Sequence, residues 1–203
     1  MTIKGKRGLA VASAEQVVQS FYQMIRLTER VSGRLRGLAM KLKIMTSGGR
    51  VGRHLSVGHG VHVIAAHHAK IRIGDRVSLG TGVILSVGSK ATFVIGNDVH
   101  VGHYTLIGAE LSIAIGERAL IAEHCSIRDH EHDVSATSMH SASLVCSPVF
   151  IGDGSWIARG VAVLKGARIG EGAVIGANAV VRGAIPENAI AAGVPARVVR
   201  ARL

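Results

Sequence analysis

The chain has 203 residues, of which 48% are hydrophobic and only 3% aromatic, and its formal net charge is +11. This length suits one domain plus a short appendage. Cys125 and Cys146 offer no disulfide framework, which favours a reducing compartment, and no apolar run approaches the length of a membrane span.

The positive charge is concentrated at the start of the chain. Residues 1–53 hold 11 Lys and Arg against Glu15 and Glu29, a net charge of +9, whereas residues 54–203 carry only +2. The opening resembles a signal peptide faintly, with Lys4, Lys6 and Arg7 ahead of an apolar stretch. That stretch is too short, and polar residues follow at once. We therefore expect a basic N-terminal segment, residues 1–50, in a cytoplasmic protein.

Within this segment the pattern is helical. Ser13 and Gln16 form a capping-box signal, and apolar residues then recur at three- and four-residue steps. Gly33 and Gly37 weaken a helix at its middle, so one long helix and two shorter ones both stay open. The apolar stripe is predicted to cap the end of the domain that follows; contact with an anionic membrane face is the alternative. Nucleic acid is not expected, because no aromatic stacking set accompanies the charge.

The next 130 or so residues contain a ladder of aliphatic residues with a period of six. Such a short period marks a solenoid, because a helix would need a period of 3.6. Three hexads close one triangular coil, and 11 of the 18 anchors precede a Gly, which permits the corner conformations. The sequence thus predicts an all-β solenoid of about six coils over residues 51–185, with a tail at 186–203. The anchors are Val51, Val57, Val63, Ile73, Leu79, Leu85, Ile95, Val101, Ile107, Ile115, Ile121, Ile127, Ile151, Ile157, Val163, Ile169, Ile175 and Val181.

The longest break in the ladder lies between Ile127 and Ile151. Continuing the period would point Glu131 into the core, where an unpaired carboxylate is costly, so the chain should have left the solenoid by that residue. The departing segment holds His130 and His132 among three carboxylates, a set suited to proton transfer. We therefore predict an active-site loop at residues 133–150.

These features together resemble the left-handed β-helix, or hexapeptide-repeat, acyltransferases. The resemblance rests on the hexads, the segment ending in His132, the run Val149–Gly160, and the chain end around Ala192–Arg200. It covers about residues 73–203 and is closest to the galactoside and maltose O-acetyltransferases and to enzymes that acetylate lipopolysaccharide and capsule sugars. It implies a left-handed coil, acetyl-CoA as donor, no metal, and a homotrimer with its active sites between subunits.

The resemblance also implies roles for individual residues. His132 matches the catalytic base, with His130 as the neighbour that a small shift would select, and Glu110, His103 and Tyr104 fall at the acceptor side. The positions that match the cofactor channel and its phosphates are Trp156, Arg159, Ala177, Arg182, Arg197 and Arg200. Asp133 stands where the family often has Pro, Arg159 replaces a small residue, and Gly102 replaces a polar one. These departures argue against galactoside or maltose as the acceptor.

The combined prediction is an acetyl-CoA-dependent O-acetyltransferase acting on a sugar hydroxyl in capsule or lipopolysaccharide synthesis. The hydroxyl would attack the thioester directly, with the oxyanion held by a backbone N–H near Ala158–Gly160. Two alternatives stay open. A γ-carbonic-anhydrase-like zinc enzyme would use His124, His130 and His132, although their spacing is unlike that family's, and a non-enzymatic β-helix scaffold would not need the histidine-bearing break.

Overall fold

The computed structural model describes residues 14–202, and the chain divides after Ser32 into two compact units. An α-helix, α1, spans Ala14–Thr46. The predicted cap residue Ser13 and the signal-like opening lie outside the described residues. Within residues 14–202, no helix is both long and apolar enough to cross a membrane.

The second unit is a left-handed parallel β-helix built from short strands, three to a coil. Six complete coils are followed by two further strands and a final antiparallel strand. The first coil contains β1 (Arg50–Val51), β2 (Ser56–Val57) and β3 (His62–Ala65), and the second contains β4 (Lys70–Ile73), β5 (Ser78–Leu79) and β6 (Ile84–Val87). The third coil contains β7 (Thr92–Ile95), β8 (His100–Val101) and β9 (Leu106–Ala109), and the fourth contains β10 (Ser112–Ile115), β11 (Leu120–Ile121) and β12 (Ser126–Arg128).

The chain then leaves the coil and returns. The excursion contains β13 (His130–His132), a 3₁₀ helix η1 (Met139–Ser141) and β14 (Leu144–Cys146), and β13 pairs antiparallel with β14. The remaining elements are β15 (Val149–Ile151), β16 (Trp156–Ile157), β17 (Ala162–Val163), β18 (Arg168–Ile169), β19 (Val174–Ile175), β20 (Val180–Val181), β21 (Ala184–Ile185), β22 (Ala189–Ala192) and β23 (Arg197–Ala201).

Strands at the same position in successive coils stack into three parallel sheets. The first sheet runs β1-β4-β7-β10-β15-β18-β21, the second begins with β2 and ends with β22 and β23, and the third contains β3, β6, β9, β12, β17 and β20. The register keeps anchors beside anchors, so that Val51 lies next to Ile73 and Ile73 next to Ile95. We call the bend from the first to the second sheet the first corner, the next bend the second corner, and the bend back to the first sheet the third corner.

The interior confirms the predicted solenoid. All 18 anchors are buried, none more than 9% exposed. The small residues between them, such as Ala167, Ala173 and Ala179, are buried as well, and Cys125 also occupies an inward position. Because every coil repeats the same inward set, the outward side chains of each corner form ladders in fixed register, and those ladders carry the candidate site.

The C-terminal half of α1 covers the open end of this prism, but with a different face from the one predicted. Ile44 is buried and Met40 packs against the core. Gly33 lies against β2, and Gly37 lies against Leu55, the residue before β2. Arg36 Nε donates to the carbonyl of Val57 (2.8 Å). The part of the predicted apolar stripe that lies in this unit, Leu35, Leu38, Leu42 and Met45, instead faces solvent. The prediction was wrong because Gly33 and Gly37, interpreted from the sequence as weak points in a helix, let the helix backbone approach the prism closely. The helix α1 continues unbroken through both glycines.

Replacing Gly37 with alanine tests this contact. The added Cβ would overlap the carbonyl oxygen of Leu55, a backbone atom that cannot rotate away. We expect a loss of about 1–3 kcal/mol from overpacking, which outweighs the gain of about 1 kcal/mol in helix propensity. Gly183→Ala is the matched control, because no atom lies within 4 Å of its added Cβ. Equal melting temperatures for the two variants would show that the helix does not pack here.

Candidate functional site

Asp129 anchors the excursion at the third corner. Its carboxylate is fully buried and accepts hydrogen bonds from the backbone N–H groups of Glu110 (2.8 Å), Leu111 (2.8 Å) and Ser112 (2.6 Å). The Asp129 carbonyl also accepts the N–H of Ser147, where the chain returns (2.8 Å). One side chain therefore ties the outgoing strand to the corner of the preceding coil.

The two histidines leave the prism directly after this anchor. His130 Nδ1 lies 3.1 Å from Asp129 Oδ1, and its ring is largely buried, with 17% of the side chain exposed. His132 is exposed, and its Nδ1 lies 3.3 Å from the carbonyl oxygen of Ala142 across the hairpin. Because a carboxylate and a carbonyl can only accept, each Nδ1 carries the proton in the neutral ring, and each Nε2 is left as an acceptor.

Polar and ionisable side chains surround the root of the hairpin. Glu110 lies across Gly88, where any Cβ would collide with the Glu110 carboxylate. Burial, with Asp129 and Glu110 nearby, raises the pKa of the Cys146 thiol, so this thiol stays neutral. The hydroxyl and then the N–H of Ser135 hold the pKa of Asp133 below its usual range. Asp133 is therefore an anion held within its own turn.

A second group of predicted residues lies along the second corner. The carbonyls of His103, Glu123 and Arg159 each accept an N–H from the next coil, so these residues form one ladder. His103 Nδ1 accepts the Thr81 N–H (2.9 Å), which leaves Nε2–H as an outward donor. Tyr104, 59% exposed, stacks on His124 with ring centroids 5.5 Å apart.

The same ladder continues towards the C-terminus. Arg159 Nε pairs with Glu123 Oε1 at 3.3 Å, and the exposed Ala177 follows one coil later. Ala158 and Gly160 each donate their N–H to a carbonyl of a neighbouring coil, Ile175 and Glu123 respectively. The expected oxyanion site cannot use these two groups, because regular stacking of the coils already engages them.

Trp156, Arg197 and Arg200 belong to the second sheet. Trp156 is 47% exposed and lines a cavity of about 430 Å³ with Leu120, Val174 and Arg202. Arg197 and Arg200 lie exposed on β23, and each guanidinium donates once to a nearby backbone carbonyl, at 3.1 and 3.2 Å. A guanidinium has five N–H donors, so both arginines retain donors for a phosphate.

The structure thus places the predicted residues in two groups. Glu110, His130 and His132 lie at the third corner, and Arg182 lies at the same corner two coils after the histidines. The remaining predicted residues lie elsewhere: His103, Tyr104, Arg159 and Ala177 at the second corner, and Trp156, Arg197 and Arg200 on the second sheet. The sequence did not single out Asp129 or Glu123. Asp129 appeared only as one of three flanking carboxylates, and the three backbone N–H groups that it accepts from are 17 to 19 residues away.

Among residues 14–202, no group of three or more His, Cys, Asp or Glu could hold a metal ion.

Comparison with known proteins connects this geometry to a family. Residues 148–183 match the model described as bacterial transferase hexapeptide (six repeats). Rv3034c of Mycobacterium tuberculosis, named a probable acetyltransferase, is 37% identical over 155 residues, covering 73% of this chain and 44% of that protein. WbbJ of Escherichia coli, provisionally named a lipopolysaccharide biosynthesis O-acetyl transferase, is 37% identical over 120 residues. That match covers 55% of this chain and 61% of WbbJ. This chain spans about half the length of these relatives.

A solved structure shares the fold. AntD, an N-acyltransferase from Bacillus cereus solved with dTDP and 3-hydroxybutyryl-CoA, superposes with a TM-score of 0.67 at 22% identity, over 76% of this chain and 83% of AntD. At that identity the likeness concerns the fold. The resemblance predicted from the sequence is therefore confirmed, and this chain carries the repeat and the β-helix of the bacterial hexapeptide transferases.

Proposed function

We propose that this protein transfers an acetyl group from acetyl-CoA to a hydroxyl of a sugar, in the synthesis of a surface polysaccharide such as capsule or lipopolysaccharide. The observation that carries the proposal is the histidine hairpin, which interrupts a regular β-helix and is fixed by a buried carboxylate. A scaffold would have no use for this costly break. The named relatives, including WbbJ, support acetyl transfer and a polysaccharide acceptor.

His132 is the proposed general base. Its Nδ1–H points to the Ala142 carbonyl, so Nε2 can accept the proton of an approaching hydroxyl. The hydroxyl oxygen attacks the thioester carbonyl carbon while its proton passes to Nε2. The tetrahedral intermediate then collapses, the carbon–sulfur bond breaks, and the imidazolium returns the proton to the departing thiolate. No acyl-enzyme is formed. His130 is the less accessible candidate, because its ring is largely buried beside Asp129.

We infer that the working site is shared between subunits, because the two groups of site residues lie at different corners of one chain. The third corner carries the base and Glu110, whereas the second corner carries the stacked Tyr104 and the cation Arg159. In a cyclic trimer of cytoplasmic subunits, the third corner of one chain would face the second corner of the next. The acceptor and the pantetheine arm would then lie in the cleft between them.

Mixing two inactive variants tests the shared site. If His132→Ala and Arg159→Glu subunits are co-expressed, random trimers should place an intact His132 beside an intact Arg159 at about one interface in four. Activity should return to about that fraction of the wild-type value, measured per subunit. A mixture as inactive as the separate variants would mean that both residues act within one chain.

The C-terminal arginines are proposed to bind the phosphates of acetyl-CoA. Each charge-assisted contact contributes about 1.5–3 kcal/mol when well formed, so Arg197→Gln with Arg200→Gln should weaken acetyl-CoA binding at least tenfold at low salt. Calorimetric titration should show a smaller difference as salt rises. Lys70→Gln with Arg72→Gln removes the same charge from the second coil and is the control. Unchanged affinity in the arginine variant would exclude these residues from the phosphate site.

The function itself is tested by free thiol release. Acetyl-CoA with a panel of sugar nucleotides and oligosaccharides should yield CoA only when a suitable acceptor is present. Stoichiometric zinc in the purified protein, with carbon dioxide hydration and no thiol release, would instead support the γ-carbonic-anhydrase-like alternative.

A further inference from the structure

The outer face of α1, which we define as Leu35, Leu38, Leu42 and Met45, is exposed to solvent. These four side chains are 63%, 56%, 57% and 50% exposed. All four belong to the second unit. Four large apolar side chains on one exposed helical face are more than the scattered hydrophobic residues of an ordinary surface.

The outer face cannot turn towards the core. At about 100° per residue, Leu42 lies about 140° around the helix from Gly37 and about 160° from Ile44. Gly37 and Ile44 are buried in the cap, and Lys41 Nζ holds the same side by donating to the Gly52 carbonyl (2.9 Å). The cap thus fixes the outer face on the side of the helix away from the prism.

A cationic cavity adjoins the outer face. It has a volume of about 300 Å³ and is lined by Leu38 together with Arg34, Lys41, Arg53 and His54. The Asp75 carboxylate lies 3.4 Å from the Arg53 guanidinium and partly offsets this charge. Three cations beside an apolar side chain would suit a ligand with an anionic head and an apolar tail.

The surrounding charge selects between occupants. Residues 1–53 carry a net charge of +9, so two copies meeting through their outer faces would bring like charges together. An anionic lipid surface has the opposite sign, attracts clustered Lys and Arg, and accepts an apolar face at the headgroup boundary. Charge complementarity therefore favours the lipid surface over a second copy.

We infer that the outer face and the adjoining cationic cavity bind the surface of an anionic phospholipid bilayer, with lipid phosphate in the cavity and the four apolar side chains at the acyl boundary. This inference is independent of the proposed acetyl transfer. Its effect would be to hold the enzyme at a membrane surface.

Flotation of the full chain with vesicles tests the inference. The protein should float with vesicles that are about one-third phosphatidylglycerol in phosphatidylcholine, but not with pure phosphatidylcholine, and high salt should weaken the binding. Leu38→Glu with Leu42→Glu should lower partitioning at least tenfold, whereas Leu38→Met with Leu42→Met should preserve it. Circular dichroism verifies that the glutamate variant keeps its helix.

A second pair of variants tests the cavity and does not alter the outer face. Arg34→Gln with Arg53→Gln should weaken vesicle binding severalfold, more than the equal charge removal of Lys70→Gln with Arg72→Gln. Equal binding to both vesicle types, or full binding by the glutamate variant, would overturn the inference. A third outcome would also overturn it: the wild type does not bind vesicles and forms a larger oligomer, and the glutamate variant does not form that oligomer. The outer face would then bind a second copy of the chain.

Discussion

His132→Ala is expected to lower kcat by roughly 10²–10⁴ and to leave acetyl-CoA affinity nearly unchanged. The substitution removes the only proton acceptor proposed to contact the attacking hydroxyl. It leaves Asp129 and its three backbone contacts in place, so the hairpin root should stay folded. Steady-state turnover and calorimetric titration of acetyl-CoA measure the two quantities separately.

His140→Ala is the matched control, because His140 is an exposed histidine of the same excursion. It should keep wild-type turnover. His130→Ala distinguishes the two candidate bases. If His132→Ala retained full kcat and His130→Ala abolished it, the base would be the buried ring beside Asp129, and the proposed assignment would be wrong.

Asp129→Asn is expected to give the second large effect. The amide has one acceptor oxygen where the carboxylate has two, so one or two of the three N–H groups that face the buried carboxylate lose their partner, at up to about 1–3 kcal/mol each. The hairpin root would then shift relative to Glu110. Because a displacement of about 1 Å at a reacting group can cost 10²-fold in rate, kcat should fall about 10- to 100-fold.

Asp129 acts in this account as a positioning residue, so its test needs a measurement that stability alone would not change. The kcat of Asp129→Asn should be low at temperatures far below its melting point, with the KM for acetyl-CoA close to that of the wild type. Asp133→Asn is the control: it removes the same charge from the same excursion, where the carboxylate accepts hydrogen bonds from the N–H and hydroxyl of Ser135. Wild-type kcat together with a lowered melting temperature would make Asp129 purely structural.

The coils were predictable because one physical requirement repeats eighteen times. Each anchor must be apolar to be buried, and the period of six is incompatible with a helix, so Ile127 and Ile151 could be placed in the core before their contacts were known. The break followed from the same requirement, since Glu131 could not point inward. The structure confirms it, with β12 ending at Arg128 and the hairpin beginning at His130.

The orientation of α1 was not predictable in the same way. An apolar stripe indicates that a helix has a hydrophobic face, but it does not indicate which partner covers that face. Gly33 and Gly37 pack closely on the prism because they lack side chains, and a pattern of hydrophobic residues does not register them. Likewise, Asp129 bonds a corner one coil earlier, so its role depended on a register that the local sequence around His130 does not contain.

The chemical linkage of the product distinguishes sugar O-acetylation from the other reactions that this fold could support. Labelled acetyl-CoA, the purified protein and a sugar acceptor should give a product that carries one labelled acetyl group on oxygen, as an ester that mild base removes. The His132→Ala variant should give none under the same conditions. A base-stable label on nitrogen would instead make the protein an N-acyltransferase, and carbon dioxide hydration without any transfer of label would contradict the account altogether.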